Sequence, residues 1–193
     1  MTDFIIKKVK RARYVRITFE GNQPILKVPE YLSDKQINDV IEENKEKIKK
    51  YIEKTQKNLE GVKPLTEEEA KRLTEEAVEY IPQKAKYFAS KIGVSYNGIT
   101  IKSQRSIWGS CSSKRNLNFN FIIMLLPEDI RDSIIVHELC HLKQMNHSRL
   151  FYEECRKVMP DYMKRDNWLT EHGNDYFKRL SLSDNISVYA KCK

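Results

Sequence analysis

Three of the four histidines, His137, His141 and His147, fall within eleven residues, in the stretch His137-Glu138-Leu139-Cys140-His141 followed by Leu142-Lys143-Gln144-Met145-Asn146-His147. Successive residues of a helix advance by about 100°, so His137 and His141 stand about 40° apart and one turn along the axis, close enough to share one ion. Glu138 flanks that face. A carboxylate beside two helical histidines can take a proton from a water molecule that the metal activates, which is the chemistry of the H-E-x-x-H pattern. Catalytic zinc keeps three protein ligands and leaves a position open, whereas structural zinc closes all four. A third histidine therefore favours catalysis over a chance pattern on an ordinary solvated helix. On an unbroken helix His147 would lie roughly 240° past His141, so the helix must end between them. Asn146, which tolerates the left-handed conformation, and Lys143, a cation suited to a last turn, fit that ending. The expected cofactor is Zn2+ on His137, His141 and His147, with Glu138 as general base; Glu153 or Glu154 in place of His147 is the alternative ligand.

The ligand helix reads as a rigid core element. Ile134, Ile135, Val136 and Leu139 make it strongly apolar, and Pro127 with Glu128 and Asp129 suits its N-terminus. Cys140 falls on its flank and reads as packing. Upstream, residues 4 to 29 read as two or three basic strands with a turn at Gly21-Asn22 and an end at Pro29. Ser33 then caps a long amphipathic helix to about Asn58, with Ile37, Val40, Ile41, Ile48, Tyr51 and Ile52 at helical spacing. After Gly61 and Pro64, Thr66 and Glu69 form a capping-box pattern for a second helix to about Lys91, bent at Pro82. Tyr96-Asn97-Gly98-Ile99 reads as a turn between Val94 and Ile101, and Trp108 and Phe119 mark strands of a small sheet. Beyond His147, Ser148 caps a helix carrying Phe151, Cys155 and Val158 up to Pro160, and a further short helix ends near Gly173. The tail, 174–193, is weakly patterned.

The segments Arg105-Ser106-Ile107-Trp108-Gly109-Ser110-Cys111-Ser112, Leu117-Asn118-Phe119-Asn120, Pro127, His137 to His141, and Asn146-His147-Ser148 with Phe151 and Pro160 together resemble the YgjP-like family of metal-dependent hydrolases. That family is related to the WLM and SprT zinc metallopeptidase domains, and the resemblance runs from about Lys102 to about Leu169. It implies an α+β, zincin-like fold: a small mixed sheet packed against an active-site helix, with long N-terminal helices. It also implies zinc on the three histidines and Glu138 as base, for a substrate that the family leaves poorly defined. The expected organisation is an N-terminal part over 1–65, a zincin-like catalytic domain over 66–173 and an extension over 174–193. The resemblance puts the Arg105 to Ser112 motif beside the metal, where an edge strand receives an extended substrate. Arg105 and Trp108 are thus the substrate-binding candidates, Arg105 for a carboxylate or phosphate; the competing reading is an internally paired arginine and a buried tryptophan. Gln144 stands where the metzincin branch has glycine, so the turn must be shaped differently. Met159-Pro160 reads as core filler and helix stop, and no Cys-x-x-Cys is present for a zinc ribbon.

The chain has 193 residues, 40% of them hydrophobic, with no run of about 18 apolar residues and no signal-peptide pattern at Met1 to Lys8. A cytoplasmic protein with no membrane attachment is the expectation. Cys111, Cys140, Cys155 and Cys192 lie in no framework spacing and read as reduced thiols. The net charge is +8, and Lys7, Lys8, Lys10, Arg11, Arg13 and Arg16 concentrate part of it near the start. A solvated strand face accounts for these residues, and attraction to nucleic acid, a phosphorylated substrate or an acidic protein surface is the functional alternative; Tyr14 among them suits base stacking.

The chemistry expected is metal-assisted hydrolysis of a peptide or small-molecule substrate, with His172, Tyr152 and Tyr162 as candidate oxyanion donors. A metallopeptidase is the first reading. A phosphohydrolase acting on a nucleotide or other phosphorylated small molecule is the alternative, supported by the basic charge and Arg105. A module holding zinc only as a structural element is the third, and Glu138 argues against it.

Overall fold

A computed structural model describes residues 4–183 and 186–192. They divide into two compact units, one of residues up to Pro64 with 181–183, the other of Leu65–Leu180 with 186–192. Among the described residues no helix is long and apolar enough to cross a membrane.

The first unit opens with β1 (Ile5–Val9), β2 (Arg16–Glu20) and β3 (Gln23–Pro29). They form a sheet in the order β1-β3-β2, with β1 parallel and β2 antiparallel to β3. Gly21, at φ +55, makes the β2–β3 turn. Ser33 and Gln36 complete a reciprocal capping box for α1 (Asp34–Glu43). The long helix expected from the sequence is instead two, because Asn44 leaves helical geometry (φ −112, ψ 10) and its side chain donates to Val40 O at 2.9 Å, before α2 (Lys45–Leu59) begins. An Asn amide that bonds the backbone locally competes with the helical ladder, so the apolar periodicity survives while the rod breaks. Leu26, Val28 and Ile37 form one small core of this unit, and Phe19, Ile48, Ile52 and Leu59 another.

The second unit is built on α3 (Glu67–Ile92), whose N-cap Thr66 accepts from the Glu69 N–H and whose end is closed by Gly93 in the left-handed conformation. α3 runs unbroken past Pro82. Its buried stripe, Leu73, Ala77, Ile81, Ala85, Phe88 and Ile92, repeats every three or four residues and packs into one core cluster with the sheet and the helix that carries His137. The sheet contains β4 (Gly98–Lys102), β5 (Gly109–Cys111), β6 (Asn116–Asn120) and β7 (Tyr189–Cys192), in the order β5-β6-β4-β7. β4 and β6 are parallel, and the register puts Ile99 beside Leu117 and Ile101 beside Phe119, all on the core face. The turn expected over 96–99 ends earlier: residues 94–97 leave α3 as a connection, and Gly98 already opens β4. Trp108 lies just before its strand.

A short 3-10 segment (Phe121–Leu125) joins β6 to α4 (Glu128–Cys140), which carries the H-E-x-x-H residues; α5 (Arg149–Val158) and α6 (Tyr162–Ser181) follow. Two expectations from the sequence change here. Gly173 ends no helix; α6 continues through it, because a Cβ at this position would lie 3.0 Å from Trp108 Cζ2 and 3.3 Å from Leu169, so glycine serves close packing. The weakly patterned tail supplies β7, antiparallel to β4.

Asn120 holds the sheet to the loop before β5. It is fully buried, and its Nδ2 donates to Gln104 O at 2.5 Å and Ile107 O at 3.0 Å, while its N–H donates to Trp108 O at 2.7 Å. Asn120→Ala leaves two carbonyls without their donor and is expected to cost about 2 kcal/mol, with proteolysis opening first at residues 103–108; denaturant titration with limited proteolysis checks both.

Candidate metal centre

The site is built on the end of α4. His137 sits in the last turn, and His141 is the C-cap at φ −60, ψ −22, its N–H donating to His137 O. Lys143 N and Gln144 N both bond back to Cys140 O at 3.0 Å, a tight turn that stops the helix before it can carry His147 away. That turn uses no left-handed residue: among the described residues only Arg115 has positive φ outside glycine, so Asn146 does not make the reversal expected of it. The chain then brings His147 back just ahead of α5.

The three imidazoles converge. His137 Nε2 is 3.1 Å from His141 Nε2 and 3.0 Å from His147 Nε2. Four ligands about a zinc ion at its usual Zn–N distance of about 2.0–2.1 Å stand roughly 3.3–3.4 Å apart, so the spacing matches one shared ion. Protonation agrees. His141 Nδ1 lies 3.1 Å from Gln144 O, which can only accept, so the ring carries its proton there and presents a bare Nε2 inward. His137 Nδ1 is 2.7 Å from Tyr162 Oη, and the Tyr162 hydroxyl donates in turn to Asp166 Oδ1 at 3.4 Å, so His137 likewise gives Nδ1–H outward and Nε2 inward. Bare nitrogens so close repel one another unless a cation lies between them. Burial first, then neighbouring His141 and His147, push His137 down to about 3, and burial lowers His141 as well, keeping both rings in the neutral ligand form. The triad could hold a metal ion.

Phe151 is the floor of this arrangement. It is fully buried, and its ring centroid lies 4.8, 4.6 and 5.0 Å from those of His137, His141 and His147. Its helical spacing in the sequence reads only as core, which is also true. Tyr162 has a different task from the oxyanion donation proposed for it, since its hydroxyl is engaged with His137 and Asp166. Tyr152 packs near His147, at 6.5 Å between centroids, and His172 stacks on Trp168 with Nδ1 donating to Trp168 O; neither lines the cleft beside the triad. Glu153 and Glu154 are committed elsewhere, Glu153 to Arg149 and Glu154 to Lys143 and Lys157.

Glu138 lies against the edge strand. A Cβ at Gly109 would meet Glu138 Oε1 at 2.7 Å, Cγ at 2.8 Å and Cδ at 2.9 Å, so only glycine lets β5 come this close. Glu138 Oε2 is buried without a hydrogen-bond partner, and burial pushes the carboxyl up to about 8. A cleft of about 320 Å³ opens at this point, lined by Trp108, Gly109, Ile134, His137, Glu138 and Asp166 among others. Trp108 forms its wall, held from behind by Phe177 at 4.2 Å between centroids. Arg105 is exposed, with no ion pair among the described residues, and lies outside the lining, next in sequence to Ser106, which is part of it. Gly109, Asp166 and Leu169 were not singled out by sequence reasoning. The signal for the α6 pair was the spacing Tyr162, Asp166, Leu169, Gly173, Phe177, one helix face directed at the cleft and at Trp108.

The family model of the YgjP-like metallopeptidase domain matches residues 65–172, more than half of the chain. The chain belongs to the YgjP-like metallopeptidase family. It is 29% identical over 90 residues to a UTP pyrophosphatase of Escherichia coli strain K12, an alignment that takes in 44% of this chain and 54% of that protein. This YgjP-like chain thus spans about half the length of that relative. The crystal structure of the metallopeptidase zymogen of Pyrococcus abyssi abylysin aligns at a TM-score of 0.44 with 21% identity, over 48% of this chain and 95% of that one.

Two outcomes are expected. Tyr162→Phe removes the acceptor for His137 Nδ1–H and should weaken divalent metal binding by about 10- to 100-fold in competition with a chromogenic chelator, with the circular dichroism spectrum unchanged. In chelator-stripped protein, Glu138 keeps its proton in the folded chain up to about pH 8 but loses it near 4.5 when unfolded. Its stabilising contribution is therefore complete at acid pH and lost as the pH rises through about 8. Thermal unfolding from about pH 5 to about pH 9 should show the wild type losing stability relative to Glu138→Gln; parallel curves would exclude the buried carboxyl as the cause.

Proposed function

We propose that this YgjP-like protein is a zinc-dependent hydrolase of the peptidase type, with a zincin-like arrangement of edge strand, base and ligand helix. The observation that carries the reading is the convergence of three inward-facing Nε2 atoms beside a buried carboxylate that has one oxygen without a partner. His137, His141 and His147 hold the ion. When bound, zinc supplies a Lewis acid for the scissile carbonyl and lowers the pKa of water towards neutrality. Glu138 accepts the proton of the attacking water and returns it to the leaving amine, a role suited to a carboxyl raised by burial into the neutral range. Tyr162 and Asp166 keep His137 in the ligating tautomer, and the Phe151 ring packs against all three imidazoles. β5, at the open edge of its sheet, offers its backbone to an extended peptide, with Gly109 bringing that backbone beside the base. Trp108 bounds the substrate cleft, and Arg105 at its rim is available for a substrate carboxylate.

A nucleotide phosphohydrolase is the second reading, favoured by the likeness to the E. coli UTP pyrophosphatase. Cleft charge favours the first: the charged residues lining it other than the ligand are Glu138 and Asp166, with no Lys or Arg, so a triphosphate there would face carboxylates. Zinc-loaded wild type, Glu138→Gln and Arg105→Ala should be assayed against a peptide library and a nucleoside triphosphate panel. Turnover of peptides is expected, falling by at least about a hundredfold in Glu138→Gln, with a raised KM in Arg105→Ala. Turnover confined to the nucleotides would replace the peptidase reading by the second, and an unchanged KM would remove Arg105 from the substrate site.

A further inference from the structure

We infer that the N-terminal unit carries a binding surface for single-stranded nucleic acid. Residues 1–64 hold fifteen Lys and Arg against ten Asp and Glu. The carboxylates of this unit that form ion pairs serve other lysines: Glu20 takes Lys7, Asp34 takes Lys8, Glu42 takes Lys45 and Glu53 takes Lys49. Lys10, Arg11, Arg13 and Arg16 are exposed and, among the described residues, form no ion pair. The sheet register adds a second cost. Lys7 lies beside Lys27 and Lys27 beside Arg16, so three cations cross the three strands in a row on one face, with only Lys7 neutralised. Like charges directly opposite destabilise a sheet, and an anion bound across them removes the penalty.

The aromatic groups decide between kinds of anion. Tyr14 and Tyr31 are 68% and 73% exposed, and the Tyr31 hydroxyl donates to Arg13 O at 3.4 Å, so two open phenol rings flank the most basic stretch. A groove of about 460 Å³ continues from it, with Arg16, Lys47 and Tyr51 at its margin and an apolar floor that includes Ile17, Leu26 and Ile48. Alternating cations and aromatic faces beside an apolar trough suit phosphates joined to unstacked bases. A duplex, whose base faces are covered, or an acidic peptide would use the cations and leave the tyrosines idle.

The test uses the full chain and fluorescence anisotropy of labelled 20-residue oligothymidylate and oligouridylate across a salt series. Saturable binding is expected, with the logarithm of affinity falling against that of salt at a slope near −3 for about four phosphates neutralised. Arg11→Gln with Arg13→Gln and Arg16→Gln should abolish it while leaving the unfolding temperature and hydrolytic activity unchanged. Tyr14→Ala with Tyr31→Ala should weaken it by about tenfold or more with the salt slope retained. Absence of saturable binding at about 50 mM salt, full binding by either variant, or equal affinity for the matching duplex or for polyglutamate would overturn the inference.

Discussion

Three imidazoles converging on one point, with His137 Nε2 3.1 Å from that of His141 and 3.0 Å from that of His147, is the arrangement on which the rest of the site depends. Left alone, the rings would turn to satisfy those nitrogens with water or protons. They are held by what lies behind them. Gln144 O takes the outward proton of His141, the Tyr162 hydroxyl takes that of His137, and Phe151 fills the space beneath all three. For His137 and His141, burial then disfavours the protonated state, since a charged imidazole would lose more solvation there than it recovers.

The same logic extends to Glu138. A carboxyl buried against an edge strand is an unfavourable object in an ordinary core, and its Oε2 has no hydrogen-bond partner. Gly109 gives up its side chain so that the strand can press on the carboxyl, and Gly173 gives up its own so that Trp108 can lie against α6. These two glycines have ordinary backbone geometry and are required by proximity alone. Together with Asn120, which ties the loop of Trp108 to the end of β6, they turn a three-residue strand into a wall of the cleft. Membership of the YgjP-like metallopeptidase family is consistent with this economy, in which one short strand, one helix end and one tyrosine do most of the positioning.

Much of this was legible in the residues. The H-E-x-x-H spacing and the third histidine pointed to the three side chains that converge, because helical geometry makes i and i+4 neighbours, and together they could hold a metal ion. The apolar run before His137 announced a core helix. The errors were equally physical. Asn44 breaks a helix whose apolar stripe continues across it, and Gly173 looks like a terminator but is a packing notch. The tail lacks a strand pattern, and β7 forms because β4 offers it an edge.

What the sequence determined by itself is local: which segments are amphipathic, where helices begin, and which side chains have the chemistry to ligate and to take a proton. These depend on neighbours within a turn or two, so periodicity and residue type suffice. Only the tertiary structure decided that Tyr162 serves His137, that Asp166 stands behind it, that Gly109 meets Glu138 and that Phe151 underlies the triad. Such contacts join residues far apart along the chain, and whether two side chains meet depends on how α4, α5, α6 and β5 pack, which no local pattern encodes.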